Sequence, residues 1–154
     1  MHIDLDELDE AGECVVRAHQ QMWGQDLEPS ATVGLHVLEA EVARRRGDPA
    51  LALELLGQQA SGWMLVSERA VVSARAQALG DLGRYDEALE AAAASLLAKG
   101  EDAWSAIEAR RVRGDLLART GHRDAAVESW TEALDLVKLT GLEGLRRYLE
   151  ARLA

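Results

Sequence analysis

One cysteine in 154 residues, Cys14, excludes an intrachain disulfide. Phenylalanine is absent and proline occurs only twice. The apolar share of 48% rests on Ala, Leu and Val rather than on long β-branched runs, which disfavours sheet and favours helix almost throughout. No apolar run reaches about 18 residues and no charged-then-apolar leader opens the chain, so a soluble, cytoplasmic protein is expected, without membrane contact. Lysine stands only at 99 and 138, and a formal charge of −10 sets an acidic field that repels phosphate. Direct nucleic-acid binding is therefore not expected. Proteins, peptides and small molecules remain as partners.

The chemistry of a catalytic or metal centre is equally thin. His2, His19, His36 and His122 are the only histidines, and none stands three or four residues from another His or from Cys14, the spacing that puts two metal ligands on one helical face. His36 with Glu39 makes half a site at most; a core or surface histidine is the plainer reading. Cys14 lies between Glu13 and Val15 without a clear activating cation, which predicts a buried structural thiol rather than a nucleophile. "GDLG" at 80–83 lacks the Lys-Ser/Thr that a phosphate loop needs. No catalytic residue, metal or cofactor is expected, and an enzyme is not.

Against these absences stands a repeat. "RRGDPALAL", "DLGRYDEAL" and "RTGHRDAAV" align on Gly47, Gly83 and Gly121, each glycine following one amphipathic run and preceding another. Helices are predicted before the glycines over about 31–46, 63–82 and 102–120, and after them over about 49–60, 86–99 and 124–139. Ser30, Asp86, Asp102 and Asp124 are placed as N-caps, and Pro49 fits a first helical turn. Five residues past each glycine stands an alanine, Ala52, Ala88 or Ala126, small enough for two antiparallel helices to approach closely. Leu5, Leu8, Val15, Ala18 and Met22 stripe a leading helix over 5–25, which Asp4 and Glu7 begin as a capping box. Leu142, Leu145, Leu149 and Leu153 stripe a terminal one, with Arg146, Arg147, Glu150 and Arg152 outside it. The expected organisation is all-α: a leading helix within 1–28, three hairpins within 29–140 (about 31–60, 63–99 and 102–139) and a capping helix within 141–154.

Aligned in this way, the chain resembles the tetratricopeptide repeat family. The third unit, "RGDLLARTGHRDAAVESWTEAL", carries the resemblance through Gly114, Leu117, Gly121, Ala126, Trp130 and Ala133; the second carries it through Leu79, Gly83, Tyr85, Ala88 and Ala92, with Ala76 where a glycine is usual. The first matches through Ala40, Gly47 and Ala52. The proline usual between units is missing and the first helices run long. The resemblance implies a helix-hairpin superhelix whose first helices line a concave groove. It places there Val37, Glu41, Arg44 and Arg45 from unit one, Ser73, Ala74, Gln77 and Asp81 from unit two, and Glu108, Arg111, Asp115 and Arg119 from unit three. It also implies protein–protein recognition by an adaptor or regulatory scaffold, with a peptide or protein segment in the groove. A self-associating homodimer and a small-molecule or peptide sensor of a bacterial regulatory system are the alternatives. The same groove residues also read as a solvated face of internal ion pairs such as Arg111 with Asp115.

Trp130 matches a core position of the family. Trp63 and Trp104 open the first helices of units two and three, where they either bury against the preceding unit or stand at the edge as anchors for a partner. Trp23 is open to a core role or a dimer contact. "VARRRG" at 42–47 is the densest basic cluster, explained by the negative end of a helix dipole or by an acidic partner.

Overall fold

The structure, a computed structural model, describes residues 5–22, 29–57, 68–98 and 103–154. Every regular element among them is a helix: α1 (Leu5–Met22), α2 (Pro29–Arg45), α3 (Pro49–Gly57), α4 (Glu68–Asp81), α5 (Tyr85–Leu97), α6 (Ala103–Arg119), α7 (Arg123–Val137) and α8 (Glu143–Leu153). The chain is thus all-α in its described part, and no described helix is long and apolar enough to cross a membrane. The segments around Trp23 and Trp63, Asp4 and Asp102, and most of the linker at 24–30, lie outside the described residues.

Three hairpins close on the three aligned glycines by one device. Gly47, Gly83 and Gly121 take φ of 86°, 75° and 84°, a left-handed conformation that a side chain disfavours. Each donates its N–H to a carbonyl three residues back, while the next residue reaches five back: Asp48 to Ala43, Arg84 to Leu79 and His122 to Leu117. This pair of bonds satisfies the orphan carbonyls of the outgoing helix. The residue after each glycine then starts the next helix, because its carbonyl accepts from Ala52, Ala88 or Ala126 at 2.9–3.2 Å.

That register corrects the caps. Arg84 and His122, not Asp86 and Asp124, hold the N-cap positions of α5 and α7, and neither makes a side-chain capping bond. The glycine turn uses up only one residue before the helix resumes, so the two aspartates fall inside the first turn, where they still favour the positive dipole end. Ser30 likewise falls inside α2, which begins at Pro29. In the first hairpin Asp48 is the capping residue, accepting from Leu51 N at 2.9 Å, with Pro49 first in α3 as expected.

Three core clusters result, and each straddles two units. The first joins α2 and α3 to α4 (Ala40, Ala43, Ala52, Leu56, Ala74, Ala78). The second joins α4 and α5 to α6 (Ala76, Leu79, Ala88, Ala92, Val112, Leu116). The third joins α6 and α7 to α8 (Ile107, Ala126, Trp130, Ala133, Val137, Leu149). The alanines five residues past the glycines are all sealed, at 1%, 0% and 0% exposure, as their size predicted. Alanine-rich clusters bring helix axes close but bury little area per residue, whereas the third gains most from burial because it holds Trp130 and Ile107. Helices α2, α4 and α6 neighbour one another in turn, and α3, α5 and α7 each touch the first helix of the following unit. For α7 that place is taken by α8.

Two polar groups depart from expectation. Cys14 is exposed, not buried, and Arg17 one turn on donates to its Sγ at 3.3 Å; its position on α1 faces away from the contact with α2 that buries Val15. Ser73 is 1% exposed and its hydroxyl finds no hydrogen-bond partner among the described residues. A sealed, unsatisfied hydroxyl costs about 1–3 kcal/mol, and alanine fits the same space with better helix propensity. Ser73→Ala is therefore expected to raise stability by about 1 kcal/mol, read as an upward shift of the urea midpoint at unchanged slope. A lower midpoint would show that the hydroxyl has a partner.

Candidate functional site

The inner helices present their polar stripes to one open trough. Residues three or four apart share a helical face, so Glu41, Arg44 and Arg45 of α2, Gln77 and Asp81 of α4, and Trp104, Glu108, Arg111, Asp115 and Arg119 of α6 look into a cavity of about 1090 Å³. Of the expected groove residues, Val37 and Ser73 do not line it. Val37 packs against the first core cluster and Ser73 is sealed in α4, both lying on the flank of their helix that meets a neighbour. Ala74 belongs to that cluster too. The turn at Gly141 and the inner flank of α8 supply a further wall, with Leu142, Leu145, Tyr148 and Arg152.

The trough floor is a ladder of charge-assisted bonds. Glu41 takes both Nε and Nη2 of Arg44 at 2.9 Å and Nε of Arg45 at 2.5 Å. Arg44 extends its other arm to Asp81 at 2.6 Å, and Asp81 accepts Arg119 on its second oxygen at 2.9 Å. One carboxylate thus ties α2, α4 and α6 together. Arg111 is clamped between Glu108 and Asp115 and also reaches Gln77 at 3.1 Å. Asp115 further accepts Trp130 Nε1 at 3.1 Å and the Tyr148 hydroxyl at 2.8 Å. Bonds between α2, α4, α6 and α8 span 33 to 38 residues of chain, close to the 36 and 38 that separate the aligned glycines. The stacking register is therefore written in polar pairs as well as in the alanine seam.

Comparison with family models, curated proteins and solved structures finds no match.

Five carboxylates face five guanidinium groups along the trough, so a chain of charge −10 presents a locally neutral channel. Side-chain exposure is 19–27% for Glu41, Asp81, Glu108 and Asp115, and 51% for both Arg119 and Arg152. Depth does not divide by sign: Arg111 and Arg44 lie as deep as the inner carboxylates, at 16% and 19% exposure, and Glu143 stands at 52%. Burial pushes Glu41 upward, yet Arg44 and Arg45 outweigh it and hold its carboxyl below the usual range. Burial likewise opposes ionisation of Asp81, and the hydrogen bonds and charges of Arg119 and Arg44 bring it down. Burial and then Asp115 raise the Tyr148 phenol above its ordinary value. Tyr148 is flanked by two cations, Arg111 at 5.7 Å and Arg152 at 5.1 Å from its ring centre.

The basic cluster at 44–46 is thereby accounted for within the chain, since Arg46 also pairs with Asp9 of α1 at 2.8 Å. Trp104, 55% exposed, stands on the trough wall. Sequence reasoning missed Tyr148 and Arg152 because it read α8 only as an apolar stripe with a solvated back. The signal available was their spacing from Asp115, 33 and 37 residues, near the 36 and 38 between the aligned glycines. Among the described residues no group of three or more His, Cys, Asp or Glu is arranged to hold a metal ion.

Asp81 gives the ladder a measurable consequence. Its folded pKa lies below its ordinary 3.8, so its contribution is complete well above that value and is lost as pH falls through the folded pKa. Two charge-assisted arms, discounted for partial exposure, are worth about 1–2 kcal/mol. Asp81→Asn is expected to lower the urea midpoint by that much at pH 7 and 5, with the gap to wild type closing at pH 3. A gap independent of pH would mean that packing, not charge, accounts for the loss.

Proposed function

We propose that the chain is a tetratricopeptide-like array of three hairpins acting as a non-catalytic recognition module, whose trough holds a peptide or a segment of another protein. The observation that carries this reading is one continuous cavity crossing α2, α4, α6 and α8, about 1090 Å³ and open along its length. The cavity runs across four helices and carries charged groups along its walls, which suits an extended segment lying across them. Its lining supports the same reading: preformed charge pairs keep the wall rigid, and an exposed indole offers the kind of anchor that dominates protein–protein contacts. Arrays in which each unit buries only its neighbours leave such a face free by construction.

Selection of a random display library of peptides about sixteen residues long on the immobilised chain tests it. Enriched peptides, remeasured by fluorescence polarisation, are expected to lose about tenfold or more in affinity on Trp104→Ala and on Arg119→Glu. Neither side chain is buried, so circular dichroism should be unchanged. Peptides that bind both variants as well as wild type would place recognition elsewhere and end the trough reading.

A further inference from the structure

The trough is not uniform along its length. Between α2 and α4 its polar atoms bond one another, and a ligand there must break good pairs to make new ones, for little net gain. Between α6 and α8 the composition changes. Trp104, Leu142 and Leu145 bring apolar surface, and Arg152 brings a fork that is only partly used. Arg152 donates through Nη2 to the Tyr148 hydroxyl at 3.1 Å, while its Nε stands 4.0 Å from Asp115, beyond hydrogen-bond reach. The rest of its donors carry no hydrogen bond among the described residues. The Tyr148 ring, 5.1 Å from the guanidinium carbon, and its hydroxyl together hold Arg152 in place, so a carboxylate meeting it finds a cation with less side-chain entropy left to lose.

Resting on the trough reading above, we infer that the principal binding subsite is the cleft between α6 and α8, and that it takes a peptide segment carrying a bulky apolar side chain and a carboxylate at a fixed separation. Trp104 lies eleven residues before Asp115 on α6, about 16 Å along the helix at 1.5 Å per residue, and Asp115 lies beside Arg152. The apolar side chain sits against Trp104 and Leu142; the carboxylate pairs with Arg152. A segment spanning that distance has about five residues if extended, or about eleven if helical. Tyr148 is the positioning residue, holding the Arg152 fork toward the cleft. The terminal helix therefore does more than seal the last core cluster.

The test uses the full chain and a peptide enriched in the display selection. Enriched sequences should pair Leu, Phe, Trp or Met with Asp or Glu at one of those two spacings. Arg152→Glu should weaken binding about tenfold or more, Arg152→Lys less, and exchanging the peptide's acidic residue for lysine should restore affinity to Arg152→Glu while abolishing it for wild type. Tyr148→Phe, which keeps the ring but loses the hydroxyl that receives Arg152, should weaken binding by a smaller factor that vanishes in the Arg152→Glu background. Arg84→Glu, on an exposed turn pair with Glu87, is the control and should change nothing. Loss on Trp104→Ala and Arg119→Glu with full binding to Arg152→Glu overturns the subsite and keeps the trough. A selection that enriches no sequence overturns both. Concentration-dependent sedimentation abolished by Arg152→Glu would also overturn the inference, because the occupant would then be a second copy of the chain.

Discussion

Trp130→Ala is expected to lower the stability of the chain by about 3–5 kcal/mol, and in its background Gly114→Ala should change sign. Trp130 is 1% exposed, the largest sealed side chain among the described residues, and its indole sits against α6 where Gly114 leaves room. A Cβ built at Gly114 falls on the five-membered ring of the indole, on Cδ1, Nε1 and Cε2. In the wild type, Gly114→Ala must push a buried ring that is also tethered through Nε1 to Asp115, a strain of about 1–3 kcal/mol that outweighs the helix-propensity gain of about 0.5–1 kcal/mol. Once the ring is gone only the gain remains, so the same substitution should stabilise Trp130→Ala. A coupling of about 2 kcal/mol between the two positions, measured by a double-mutant cycle in urea, is the expected result. Additive effects would mean that the indole is not seated on the glycine.

This pair also marks how far the sequence could be read. Gly114 and Trp130 were legible only through the resemblance, which puts a glycine in the first helix of the unit and a large core aromatic in the second; that the two meet was not read. The hairpin turns were legible from the residues themselves: glycine at Gly47, Gly83 and Gly121 is the residue that a left-handed helix exit demands. The fourth such exit, at Gly141 with φ of 70°, went unread, since no alanine follows at the same interval and the helix beyond it belongs to no complete unit. Exposure was the weaker inference. Cys14 was expected inside and lies outside, because the extended contact of α1 among the described helices is with α2, and one neighbour covers only a narrow stripe. Ser73 and Val37 were expected on the trough and are not, since the alignment fixes a helical face only to within about one residue, or 100° of turn. Of the polar ladder only the rung within one helix, Arg111 with Asp115, was legible; pairs such as Arg44 with Asp81 are 37 residues apart, and nothing local distinguishes them from surface charges.

The proposed cleft shares α8 with the third core cluster, and Leu149→Ala is the substitution that separates packing from binding. Leu149 is fully buried in the third cluster, and among the helices only α7 makes an extended contact with α8. Eleven residues are too few to hold a helix in water without support, so docking through Leu149 and its flanking leucines is what keeps α8 formed. Removing the side chain is expected to cost about 2–5 kcal/mol. That cost falls first on α8 itself, because its extended contact is with one helix, α7. Amide exchange should therefore accelerate across 143–153 by tens- to thousands-fold while α4 and α5, two interfaces away, keep their protection. The same opening withdraws Tyr148 and Arg152 from the cleft, so peptide affinity should fall in step with the population of the undocked helix rather than with global unfolding. If exchange instead rose uniformly from α4 to α8, the chain would behave as a single cooperative block, and the recognition surface would be only as labile as the whole fold.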